Sequence, residues 1–153
     1  MNVMMIKPII EKIPTMIIAM TLMISCSKKD NLIVPSESVA DFHLGQKLTN
    51  GNYDKNYLEI KLSDDNLINE IIVLSDQYET AKGAKVGLTF AEVKEKQGQP
   101  LSEHLSIKKG SNPPFKEDTN EPAEVLIYNG IIFFPEKNTN TVKSILVTNE
   151  PWY

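Results

Sequence analysis

Between Val125 and Phe134 the chain reads Val-Leu-Ile-Tyr, then Asn-Gly, then Ile-Ile-Phe-Phe. Two apolar runs rich in strand-forming residues flank the dipeptide most suited to a two-residue hairpin loop. A type I′ turn needs positive φ at both central positions, which Asn-Gly supplies. An antiparallel hairpin at 125–134 is therefore the first fixed point of the fold. A second hairpin is expected upstream. Tyr57 to Ser63 alternates polar and apolar residues, Asp64-Asp65-Asn66 is a turn cluster, and Ile68 to Leu74 reads as the return strand. A weaker strand is expected over Leu101–Ile107 and a last one over Val142–Thr148. Residues 110–122 contain Gly110, Pro113, Pro114 and Pro122 and read as a loop.

One helix is well marked. Thr89 and Glu92 have capping-box spacing, with the hydroxyl placed to meet the third amide and the carboxylate to reach back. Leu88 and Val93 fit the hydrophobic staple around them. Gly98 stands where a left-handed C-cap belongs, and Pro100 stops continuation. The helix should span about 90–97. So short a helix is marginal alone and must pack through Phe90 and Val93.

The sequence also echoes itself. Ile68-Asn69-Glu70-Ile71-Ile72-Val73 matches Val142-Lys143-Ser144-Ile145-Leu146-Val147, and Leu44-Gly45-Gln46-Lys47-Leu48 matches Val86-Gly87-Leu88-Thr89-Phe90. The strand offset is 74 residues and the glycine-segment offset is 42. A degenerate tandem repeat and chance similarity of hairpins both account for this pattern. The expected fold is α+β: an antiparallel sheet of two hairpin units with one short capped helix.

The N-terminal region has a different character. Lys7 and Lys12 precede an apolar run from Met16 to Ile24. That run would rise only about 14 Å as a helix, against roughly 30 Å of bilayer hydrocarbon. Its length and flanks suit a secretion signal rather than a permanent span. Met23-Ile24-Ser25-Cys26 follows, and Cys26 is the only cysteine of the chain, so no intramolecular disulfide can form.

Met23-Ile24-Ser25-Cys26 resembles the lipobox of bacterial lipoproteins, with Met23 where leucine is usual. The resemblance implies diacylglycerol on the Cys26 sulfur, cleavage between Ser25 and Cys26, and acylation of the new amine. Several acyl chains make a stable anchor because each buried methylene contributes about 0.8 kcal/mol and one chain binds only reversibly. The resemblance also implies a cell-envelope location. Ser27, rather than an aspartate, points to the outer membrane, on its periplasmic face or at the cell surface. The domain plan is then a cleaved signal over 1–25, a lipidated polar tether over 26–40, and one α+β domain over 41–153.

Charge narrows the partners. The formal net charge is −4, and all 16 basic residues are lysine. A mildly acidic chain without a basic block is a poor nucleic-acid binder, and no arginine fork is available for phosphate. The two histidines, His43 and His104, lie 61 positions apart, and nothing in their spacing calls for a shared metal or catalytic role. Asp64-Asp65-Asn66 reads as a turn, since calcium takes about 6–8 oxygen ligands. No phosphate-cradling glycine loop or nucleophile elbow is present. No cofactor or metal is expected.

The candidate partner-binding residues are Phe115, within the proline-rich loop, and Trp152 and Tyr153 at the C-terminus, since aromatic side chains are frequent interface anchors. The stretch Val86–Val147 carries Gly87, Thr89, Val93, Gly98, Pro100, Tyr128 and Gly130 in a pattern that resembles the small lipoprotein of the outer-membrane β-barrel assembly machinery. It is similar also to the β-lactamase inhibitor protein fold. Both families place two helices before their strands, where this chain has a hairpin. The expected function is a membrane-anchored, non-catalytic envelope protein that binds another protein or supports assembly. The alternatives are a secreted-side inhibitor or immunity-type binder and, from another class, an envelope hydrolase using His43 or His104.

Overall fold

The computed structural model describes residues 30–49, 53–104 and 124–151. In chain order the elements are β1 (Leu32–Val34), β2 (Ser38–Val39), β3 (Phe42–His43), β4 (Leu58–Leu62), β5 (Ile68–Val73), β6 (Glu79–Thr80), α1 (Phe90–Gln97), β7 (Ser102–His104), β8 (Glu124–Tyr128), β9 (Ile131–Pro135) and β10 (Val142–Thr148). They form a six-stranded sheet in the order β4-β5-β10-β9-β8-β7 and a four-stranded sheet in the order β3-β2-β1-β6. Every pairing in the larger sheet is antiparallel. The fold is mostly-β α+β, with the two expected hairpins joined through the central β5–β10 pair.

Strand alternation sorts the core. Ile71, Val73, Leu126, Ile131, Phe133, Ile145 and Val147 share one cluster with Ile33, Val39, Phe90 and Val93. The small sheet and α1 therefore pack on that face of the large sheet. Ile72, Val125, Ile127, Ile132, Phe134 and Leu146 form a second buried cluster on the opposite face. Both clusters draw on the same four strands, which explains the unbroken apolar runs of β5, β8, β9 and β10.

The helix begins as its sequence requires, but Gly98 closes it at φ 93° and ψ −168°, outside the left-handed helical region expected of the cap. Thr89 N–H and hydroxyl donate to the Glu92 carboxylate at 2.7 and 2.8 Å, and Glu92 N–H donates to Thr89 Oγ1 at 3.3 Å. At the other end Gly98 N–H donates to the Lys94 carbonyl, and the Tyr128 hydroxyl donates to the Gly98 carbonyl at 2.8 Å. Lys94 pairs with Glu103 of β7 at 2.8 Å. The short helix is thus tied to two strands besides its buried Phe90 and Val93.

Two expectations are corrected. The tether was expected to reach residue 40 and the fold to begin near Asp41, but β1 and β2 precede that point. Ile33 is 1% exposed and Val39 fully buried. Only those two side chains and Ser38 are buried within 30–40, so the polar composition concealed a core contribution made largely by backbone pairing. The second correction concerns the Asn129-Gly130 turn. Gly130 has φ 72° but Asn129 does not take positive φ, so the turn is not type I′. This turn is not isolated. The Gly130 carbonyl accepts the Ser36 N–H at 3.1 Å and the Thr148 N–H at 3.3 Å. A Cβ at Gly130 would overlap the Ser36 backbone nitrogen and side chain.

The sequence echo has a counterpart in local geometry. Gly45 N–H donates to the Ile68 carbonyl and Ile68 N–H to the Gln46 carbonyl, at 2.7 and 2.8 Å. Gly87 N–H donates to the Val142 carbonyl and Val142 N–H to the Leu88 carbonyl, both at 2.8 Å. Isolated bridges follow at Lys47–Leu67 and Thr89–Thr141. The β4–β5 ladder skips Asn69 and the β9–β10 ladder skips Lys143, so a bulge falls at matching places in the two hairpins. The halves diverge after the glycine segment. Phe90 opens α1, with β7 and β8 beyond it, whereas the next described element after Leu48 is β4.

Candidate functional site

Leu48 borders a cavity among the described residues. Leu48 occupies the position matching Phe90, and a cleft of about 430 Å³ lies between β3, residues 46–49, Tyr53, Asp54, Ile68 of β5 and Tyr78. Phe42 and Tyr53 meet edge to face in its wall, with ring centroids 5.5 Å apart and planes at 71°. Such an arrangement sets the positive edge of one ring against the negative face of the other. Both rings, with Tyr78, also pack against the main core, so they are held rather than free.

Polar groups line the rest of the cleft. Asp41, His43, Gln46 and Asp54 contribute to it. Asp54 is structurally engaged. Its carbonyl accepts the N–H groups of Tyr57 and Leu58, and its Oδ1 accepts the Asn56 N–H at 2.9 Å. Burial pushes the Tyr78 hydroxyl above its ordinary pKa, and the negative charge of Asp54 and then Tyr57 add to the effect. Tyr78 is therefore a neutral hydroxyl beside a carboxylate at ordinary pH.

A second cavity of about 260 Å³ lies under the β8–β9 turn, lined by Ser36, Gly130, Thr148 and Pro151 among others. Trp152 and Tyr153 follow Pro151 in the chain but lie outside the described residues, as do Ser25, Cys26 and Phe115.

The two histidines are not brought together. His43 is on β3 of the small sheet and lines the aromatic cleft. His104 ends β7 at the far edge of the large sheet and is exposed. Among the described residues, no side-chain hydrogen bond or ion pair links His43 to Asp41 or Asp54. The Asp64-Asp65-Asn66 segment is an exposed turn, with Asn66 at φ 59°. Among the described residues, no group of three or more histidine, cysteine, aspartate and glutamate side chains gathers as a metal ion requires. No described helix is long and apolar enough to cross a membrane.

Sequence reasoning singled out His43 but not its aromatic neighbours. Phe42, Tyr53 and Tyr78 are widely spaced in the chain and meet only in the fold. Compared with known protein families, with characterised proteins and with solved structures, the chain matches none.

Proposed function

We propose that this chain is a lipid-anchored, non-catalytic protein of the bacterial cell envelope that holds a protein partner in the cleft lined by β3, Tyr53 and Tyr78. The observation that carries the binding reading is the convergence of Phe42, Tyr53 and Tyr78 on one concave surface rimmed by Asp41, Gln46 and Asp54. Aromatic side chains supply large contact area at low entropic cost, and they dominate binding energy where a ring of polar groups excludes water. The carboxylates and Gln46 at the rim favour a partner that presents hydrogen-bond donors around an apolar side chain. The anchoring reading rests on the order of Lys7 and Lys12, the apolar run, Ser25 and Cys26. An outer-membrane location rests on Ser27.

Co-purification from gently solubilised envelope tests the binding reading. Wild-type chain should retain a defined partner that is lost with Tyr53→Ala and with Tyr78→Ala, while Leu101→Ala, an exposed position on the far side of the sheet, retains it. Retention of the same partner by both cleft variants would assign recognition to another surface.

A further inference from the structure

The large sheet has two edges, and they differ. β7 is a three-residue strand; its pairing with β8 carries a register shift, as does that of β4 with β5, so length separates the two edges. Short edges resist pairing with a second chain. β4 spans five residues, and among the described residues no strand pairs with its outer side. Among the described residues, two of the three exposed large hydrophobic ones flank or end it: Tyr57 is 37% exposed and Leu62 is 42% exposed.

The backbone phase of β4 follows from its ends. Tyr57 carbonyl accepts from Leu74 N–H and Ser63 N–H donates to the Leu67 carbonyl, both at 2.8 Å. Residues 57 and 63 thus face β5, and by alternation so do Glu59 and Lys61. The peptide groups of Ile60 and Leu62 face outward. The side chains read Leu58-Glu59-Ile60-Lys61-Leu62, which is self-complementary about Ile60 when a copy runs antiparallel. Lys61 already bonds Glu70 across the β4–β5 pair at 3.1 Å. Glu59 sits opposite Ile72 and, among the described residues, has no ion-pair partner.

We propose that β4 pairs antiparallel with β4 of a second copy, centred on Ile60, to give a two-fold symmetric dimer with one sheet continuous across both copies. Ile60 exchanges both backbone hydrogen bonds with Ile60 of the second copy. Leu62 N–H donates to the Leu58 carbonyl of the second copy; Leu58 N–H itself is already taken by the Asp54 carbonyl at 3.0 Å. On one face the exposed Leu62 comes into register with Leu58 of the second copy, whose side chain is already buried in its own core. On the other, Glu59 meets Lys61 of the second copy, so each Lys61 lies between two carboxylates. The symmetry makes every contact occur twice, as an isologous interface requires.

Sedimentation equilibrium of the full chain in density-matched detergent tests the proposal. Wild type should reach twice the monomer mass, and Glu59→Lys and Lys61→Glu should each remain monomeric, because each alone sets like charges opposite one another. Mixed together, those two variants should associate again, since the introduced lysine of one then faces the introduced glutamate of the other. Ile60→Pro removes an outward N–H and should abolish association while the circular dichroism of the folded sheet is kept, with a lower melting temperature from the lost Ile60 packing, as proline is tolerated where an edge strand's N–H points to solvent. Monomeric wild type at every concentration, or failure of the mixed variants to associate, overturns the pairing and leaves Glu59 and Lys61 as charges that guard the edge. Undiminished association of both single variants overturns it equally.

Discussion

Replacing Ile33 by alanine tests whether the stretch before Asp41 belongs to the folded core. The Ile33 side chain is 1% exposed and belongs to the same cluster as Ile71, Phe133 and Val147. The substitution removes three carbons. At about 0.8 kcal/mol per buried methylene, the transfer loss alone is roughly 2.4 kcal/mol. The cavity left between the two sheets adds to it, giving about 3–4 kcal/mol within the range usual for isoleucine-to-alanine changes. For a domain of this size that is roughly a 10–15 °C fall in Tm. Urea unfolding followed by circular dichroism measures it, with a lower midpoint at unchanged slope as the signature of lost native stability. Glu37→Ala, an exposed side chain between β1 and β2, is the control and should stay within about 0.5 kcal/mol. If Ile33→Ala also stays within about 0.5 kcal/mol, residues 32–40 are a tether and the packing of β1 between β2 and β6 is refuted.

Three further outcomes follow from the same packing. Gly130→Ala should destabilise by about 2–4 kcal/mol, because it combines positive φ with overlap against Ser36, whereas Gly87→Ala, at φ 88° in open space, should cost only about 1–2 kcal/mol; equal losses in chemical denaturation would remove Ser36 from the turn. Thr89→Ala deletes the side-chain half of the capping box and should cost about 1 kcal/mol, read as a lower urea midpoint; no change would mean that packing of Phe90 and Val93 alone sets the helix start. Burial, then the charge of Glu103, raises the Tyr128 pKa above its ordinary value, so its stabilising effect is full below about pH 10 and is lost as pH rises through the folded value. Stability against pH should therefore fall more steeply in alkali for wild type than for Tyr128→Phe, and parallel curves would contradict this.

The parts of the fold with local signals were legible in the sequence. The capping box at Thr89–Glu92 marked α1 to the residue, and alternation with turn clusters marked β4, β5 and β10 to within a residue or so. Asn-Gly marked the β8–β9 hairpin, although the turn took a different form because Ser36 and Thr148 share the Gly130 carbonyl. The illegible parts are non-local. β1, β2, β3 and β6 are two or three residues each, and β1 is fixed by a parallel pairing of Leu32 and Ile33 with Glu79 and Thr80 far along the chain. Pro35, Ser36 and Ser38 gave this region the composition of a linker, and its two buried hydrophobic residues form no periodic pattern. The cleft was illegible for the same reason. Its three rings, Phe42, Tyr53 and Tyr78, come from separate segments of the chain. Of the partner-binding candidates read from sequence, Phe115, Trp152 and Tyr153 all lie outside the described residues, as does Cys26.

A lipid anchor on Cys26 underlies the proposed role, and the mass of the chain recovered from membranes tests it most directly. The proposal predicts a polypeptide starting at Cys26, heavier than residues 26–153 alone by a diacylglycerol and an acyl group, and lost from the membrane fraction with Cys26→Ser. An unmodified chain that still carries residues 1–25, or membrane retention of the serine variant, would contradict it.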